Sequence, residues 1–187
     1  MNTRYLKQLQ NQIQCLDLNQ VNLLSKILKK KNQQRKNVFI CGNGGSAANS
    51  DHITNDLMFG FTKKKIGFSF ISLCANSANL TCLANDIGYE NIFSNQLKIQ
   101  GKKNDLLIVL SGSGNSKNIL KAIKIAKIKK IETFGLIGFN GGKAIKLLDN
   151  YIHFRINDMQ VSEDMQMITM NLVMKNILSD KFKFYNI

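Results

Sequence analysis

The chain is predicted to fold as a doubly wound parallel α/β sheet sandwiched by helices, with a helical segment in front of it. Three observations lead there. From residue 37 onward, short apolar runs alternate with amphipathic stretches. Two of the runs end in small-residue loops that open helices. No stretch approaches the roughly 18 apolar residues needed to span a bilayer. Strands that alternate with helices are joined by crossovers, which are right-handed in about 98% of cases and cover both faces of a parallel sheet.

The elements follow in order. Leu6, Leu9, Ile13 and Leu16 recur at steps of three and four, and Leu24, Ile27 and Leu28 resume the pattern, so one or two helices are expected over 3–31. Residues 1–34 form this helical segment, which packs on its own domain or on a neighbouring subunit; 35–187 form the main domain. Val38 to Cys41 is a short buried strand, followed by the loop Gly42 to Ser46 and a helix to about Phe59. Phe68 to Leu73 is a strand, and 76–84 and 89–99 are helices. Leu106 to Leu110 is the most apolar strand, Ser111 to Ser116 its loop, and 117–130 an amphipathic helix. Thr133 to Ile137 and Tyr151 to Ile156 are strands with a short helix over 142–148 between them. A final helix covers 160–179. Its methionine-rich face suits core or subunit packing, the latter being favoured.

Composition narrows the function classes. The 187 residues are 44% hydrophobic and 20% charged, which excludes a disordered chain. The four cysteines show neither a CxxC pair nor zinc-finger spacing, and the N-terminus has no apolar signal core, so a reduced cytoplasmic protein is expected. The net charge is +14, carried mostly by lysines. The chain also has 23 Asn and no Pro, so the charge reads first as a compositional bias toward Lys, Asn and Ile on solvated faces, with a functional basic surface as the alternative and nucleic acid not expected as a direct ligand.

In a doubly wound sheet, ligands bind beyond the carboxyl ends of the strands, where both small-residue loops lie. A helix N-terminus offers unpaired N–H groups and a partial positive charge, which suits a phosphate. Ser111, Ser113 and Ser116 add hydroxyl donors, and Ser116 is placed to cap its helix. Neither loop has the GxxxxGK[ST] spacing of a nucleotide-binding P-loop. Gly42, Gly44 and Ala47 satisfy a loose dinucleotide fingerprint, but Lys63 to Lys65 stand near where its acidic residue should be.

The stretches CGNGGSAANSDH, CLANDIGYENIF and LSGSGNS together resemble the SIS (sugar isomerase) domain, and within it the phosphoheptose isomerase group. The resemblance spans about residues 35–180 and implies a flavodoxin-like cytosolic homotetramer with sugar-phosphate clefts shared between subunits. Carried over by position, Asn43, Gly44, Gly45, Asn85, Asp86, Ser111, Gly112, Ser113 and Ser116 bind substrate, although Gly112 stands where the isomerases usually have Thr. His52 matches a zinc-ligand histidine. Asp56 stands where the family has a Glu that serves as base and metal ligand. Glu163 and Asn171 occupy the positions of a Gln and a catalytic His, and Gln166 stands where many relatives carry another His.

The resemblance implies aldose–ketose isomerisation of sedoheptulose 7-phosphate or a related sugar phosphate, toward lipopolysaccharide heptose. This chemistry needs a base at carbon and an acid/base near the oxygens. Asp56 and Glu163 are the candidates, because Asn171 cannot transfer a proton. His52, Asp56 and Glu163 would also make a plausible set for zinc or manganese. Without metal, His52 would hydrogen-bond at the cleft; no other cofactor is implied. His153, in its strand, reads as structural. The alternative is a non-catalytic relative, of the type that associates with a replication initiator protein and likewise carries Asn for the catalytic His. A sugar-phosphate sensor is a third possibility.

Overall fold

A computed structural model describes residues 3–62 and 69–178, the side chains of 60–62 excepted. The expected strand start at Phe68, the Lys63 to Lys65 run and the end of the last helix at 179 lie outside the described residues. The chain opens with α1 (Arg4–Gln14) and α2 (Leu18–Gln33). There follow β1 (Asn37–Cys41), α3 (Gly45–Thr62), β2 (Ser69–Ser72), α4 (Ser77–Ile87) and α5 (Ile92–Gln100). Then come β3 (Leu106–Ser111), α6 (Lys117–Ile128), β4 (Glu132–Ile137), β5 (Asn150–His153) and α7 (Met159–Leu178).

The strands form one all-parallel sheet in the order β2-β1-β3-β4-β5. The central strand β3 is buried along its whole length, and its side chains alternate between two cores. Leu106, Ile108 and Leu110 meet α2, α3 and α7, through residues such as Leu24, Ile53 and Met165. Leu107 and Val109 meet the opposite layer, with Phe93, Ile119 and Ile123. This is the period-two alternation of a strand covered on both faces.

The N-terminal segment is part of this fold, because Leu24 and Leu28 are fully buried. Leu24→Ala is therefore expected to lower stability by about 2–5 kcal/mol, measured by urea unfolding. Asp17 starts α2 by accepting the amides of Asn19 and Gln20. Lys31, 3% exposed, anchors its last turn by pairing with Glu132 at 2.7 Å and donating to the Asn104 carbonyl at 2.9 Å.

Three expected elements are shorter or divided. The helix over 142–148 is a single 3-10 turn, Ala144–Lys146, after two glycines with positive φ. The strand expected to reach Ile156 ends at His153. The 89–99 helix begins with a 3-10 turn, Tyr89–Asn91. On α7, Met165 and Met170 are buried in the chain's own core, which accounts for much of the methionine-rich face without a partner.

Candidate functional site

The two loops flank one cleft of about 360 Å³ at the carboxyl ends of β1 and β3. On one side, Gly44 takes φ +56° and α3 starts at Gly45. The N-terminus of α3 already holds an anion from the chain itself. The Ser46 amide donates to Glu163 Oε1 at 3.0 Å. Gly45 makes this approach possible: a Cβ there would lie 2.2 Å from Glu163 Oε2. Buried Ser46 and Gln166 are joined, the Gln166 amide donating to Ser46 Oγ at 3.1 Å. Asn49 completes the network by donating to the Glu163 carbonyl and to Gln166 Oε1, each at 3.0 Å. Glu163 therefore sits on a fixed seat, and its Oε2 has no hydrogen-bond partner among the described residues.

The other side is an open anion seat. The Gly114 amide donates to Ser111 Oγ at 3.0 Å and the Asn115 amide to Ser113 Oγ at 3.2 Å, which curls the loop around its own hydroxyls. Position 114 takes glycine on two counts: its φ is +63°, and a Cβ there would lie 2.2 Å from the Gly141 carbonyl oxygen. Ser116 occupies the N-cap position of α6, but the expected side-chain cap is not made. The backbone leaves Ser116 at ψ 127°, and its hydroxyl stays uncommitted at the cleft. Of the first amides of α6, that of Ile119 is taken by Asn118 Oδ1 at 2.9 Å, which leaves those of Lys117 and Asn118 without an intrahelical acceptor. Together with the serine hydroxyls they suit a phosphate dianion. Gly112 has its place explained by Met159, whose sulfur would lie 2.5 Å from a Cβ at that position. The thioether fills the space a threonine side chain would need.

The structure redistributes the sequence-predicted residues. Asn43, Gly44, Gly45, Ser111, Gly112, Ser113, Ser116 and Glu163 all line the cleft. The Asn43 side chain is spoken for, however. It exchanges two hydrogen bonds with Asn118, at 3.0 and 2.8 Å, and accepts the Tyr89 hydroxyl at 2.8 Å. It ties the first loop to the start of α6 rather than reaching for a ligand.

Asn85 and Asp86 do not line the cleft; they are exposed on α4, where Asn85 donates to Asp86 at 2.8 Å. That bond, with one from Cys82, holds the Asp86 carboxyl below its usual pKa; the same Asp86 pushes the Cys82 thiol up.

His52 and Asp56 pair at 3.0 Å on one face of α3. At 1.5 Å per residue they lie about 9 and 15 Å beyond Ser46 along the helix. Glu163 is engaged at Ser46, so the three do not converge. Among the described residues no group of three His, Cys, Asp or Glu side chains could hold a metal. The expected zinc set therefore does not assemble within one chain: His52 and Asp56 stand together, but Glu163 is held at Ser46. Asn171 is exposed on α7, and His153 donates through Nε2 to the Phe139 carbonyl at 3.0 Å.

Ser46, Asn49, Asn118 and Met159 were missed as site residues. Ser46 carried a signal, since it opens a helix directly after glycines. The others depend on contacts more than 70 positions away in sequence or, for Met159, on the space above Gly112.

The geometry has counterparts in known proteins. The SIS domain family model matches residues 3–138. The phosphoheptose isomerase of Helicobacter pylori is 38% identical over 136 residues, covering 73% of this chain and 71% of that protein. That of Rhodospirillum rubrum is 39% identical over 130 residues, 70% of this chain and 68% of its own. The solved phosphoheptose isomerase of Neisseria gonorrhoeae superimposes with a TM-score of 0.86 at 23% identity, over 95% of this chain and 94% of that one. That likeness speaks for the fold, while the sequence match reaches across both loops of the cleft; on these grounds the chain belongs to the SIS domain family.

Proposed function

We propose that this protein is a sugar-phosphate isomerase of the phosphoheptose isomerase type, converting sedoheptulose 7-phosphate to the aldose phosphate. One observation carries the reading. The open amide end of α6, with its serines, faces the free Oε2 of Glu163 across a single cleft. Isomerisation moves a proton between adjacent carbons through an enediol, so it needs a phosphate anchor and a base. The α6 seat anchors the phosphate. Glu163, the one acidic side chain that lines the cleft among the described residues, takes the proton from carbon. Met159 packs against the loop at Gly112.

This shifts the base from Asp56 to Glu163 within one chain. Asp56 and His52 would serve a cleft only as residues of a neighbouring copy, which agrees with a homotetramer. Leu6 and Ile13 on α1, 58% and 47% exposed, offer apolar surface for such contacts. Light scattering tests this and should give about four times the chain mass of 21.1 kDa. Zinc would likewise need donors from two copies, and metal analysis of the purified protein tests that. No described helix is long and apolar enough to cross a membrane, and a cytoplasmic location is part of the proposal.

Ser116→Ala removes an uncommitted hydroxyl facing a charged group, a contact worth about 1.5–3 kcal/mol. Sugar-phosphate affinity is expected to fall by about tenfold to a hundredfold in calorimetry, and unchanged affinity would contradict the α6 seat. The reaction itself is tested by NMR of sedoheptulose 7-phosphate with the purified protein, with and without chelator, where an aldose phosphate should accumulate.

A second reading is a non-catalytic SIS protein that binds a protein partner such as a replication initiator. The exposed Asn171 favours it, because an amide at that place cannot relay a proton. Tight sugar-phosphate binding without turnover would select this reading.

A further inference from the structure

A second cavity, of about 680 Å³, opens beside the cleft and shares Ser113 with it. Its walls come from the ends of β4 and β5, with Asn115, Asn140, His153, Arg155 and Asn157 among them. Among the described residues, no acidic side chain lines it. We infer that this cavity is a second anion site, in which Arg155 binds a phosphate monoester group next to the phosphate seat of the catalytic cleft.

Several observations support it independently. Arg155 is exposed, and its guanidinium has no hydrogen bond or ion pair among the described residues. The acids on neighbouring segments are already engaged. Asp158, three residues on, caps α7 through the Val161 amide at 3.1 Å. Asp17 and Asp149 line a separate pocket that shares His153 and Arg155 with this cavity, but Asp17 caps α2. Asp149 accepts the amide and hydroxyl of Thr133 at 2.9 and 2.7 Å.

The residue type also matters. Only Arg4, Arg35 and Arg155 are arginines among 26 basic residues. Where lysine is the default, the planar five-donor fork of arginine differs in its capacity for bidentate phosphate recognition. The walls support such a ligand. His153 is held by its bond to the Phe139 carbonyl, and Asn140 uses its oxygen on the Gly142 amide, leaving its NH₂ group to donate. The site also lies beyond the carboxyl ends of strands, where this fold places ligands.

The phosphate could be the distal group of the same bound sugar or belong to a separate effector molecule; the chemistry of recognition is shared. The inference depends on the isomerase reading only through the common Ser113. Its primary test reads binding, whether or not the chain turns over. Inorganic phosphate titrated at physiological ionic strength into the full-length protein should fill two sites per chain. Arg155→Ala should remove one of them and Arg155→Lys retain it weakened, while Lys124→Ala, an exposed control, should change nothing.

Ser116→Ala should weaken the other site. Sedoheptulose 1,7-bisphosphate then separates the sources. Binding at least tenfold tighter than the 7-phosphate, with the gain lost in Arg155→Ala, assigns the group to one molecule. Equal binding of the two sugars, with the second phosphate site still filled, assigns it to an effector. One phosphate site per chain, unaffected by Arg155→Ala, would overturn the inference even if the isomerase is fully active.

Discussion

Replacing Glu163 by Gln is expected to lower turnover by about 10²–10⁴-fold, the usual contribution of a positioned acid/base. The substitution keeps the acceptor that Ser46 needs, since a carboxamide oxygen can take the place of Oε1. Thermal stability and sugar-phosphate affinity should therefore stay close to those of the wild type. Such a split between turnover and binding marks a group that acts in the transition state. If turnover were unchanged, the base would have to lie elsewhere, and Asp56 from a neighbouring copy would be the first candidate.

Gly45→Ala is expected to produce a comparable loss by a different route. The new methyl would stand 2.2 Å from Glu163 Oε2, well inside contact distance. Either the carboxylate leaves its seat or the start of α3 shifts. Overpacking of this kind destabilises by about 1–3 kcal/mol, and a displaced base loses roughly 10²-fold for about 1 Å of misplacement. The double variant with Glu163→Ala decides whether the clash is the cause. In urea unfolding it should be more stable than the sum of the single effects, because the second substitution removes what the first one strikes. Strict additivity would contradict the seat.

Much of this fold was legible in the sequence because its strands are short, apolar and bounded by loops. β3 and its serine loop stand out, since a run such as Leu106 to Leu110 has no polar residue to expose. The boundaries of β5 and of the turn before it were less legible. Their limits come from glycines with positive φ and from the bond that ties Phe154 back to Ile137, neither of which shows as periodicity.

The candidate site was legible in part. The second loop could be read as a phosphate seat because serines and a helix start are local features. The first loop looked equivalent, yet its helix end is filled by Glu163, which is 117 residues away from Ser46. Only the tertiary packing of α7 on α3 decides which of two similar helix ends stays open. The same holds for Asn43, whose amide looked available for substrate until Asn118 and Tyr89 were brought against it. The His52 and Asp56 pair was foreseen from spacing four apart, but local spacing could not show that Glu163 is held elsewhere.

The central claim is that this chain moves a proton at carbon, with Glu163 as the base. Incubation with sedoheptulose 7-phosphate in D₂O, followed by NMR, tests it most directly. The account predicts solvent deuterium at C1 of the recovered ketose with the wild-type protein and its near absence with Glu163→Gln. Tight binding of the sugar phosphate with no deuterium incorporated would contradict it, and would leave the cleft as a binding site without chemistry.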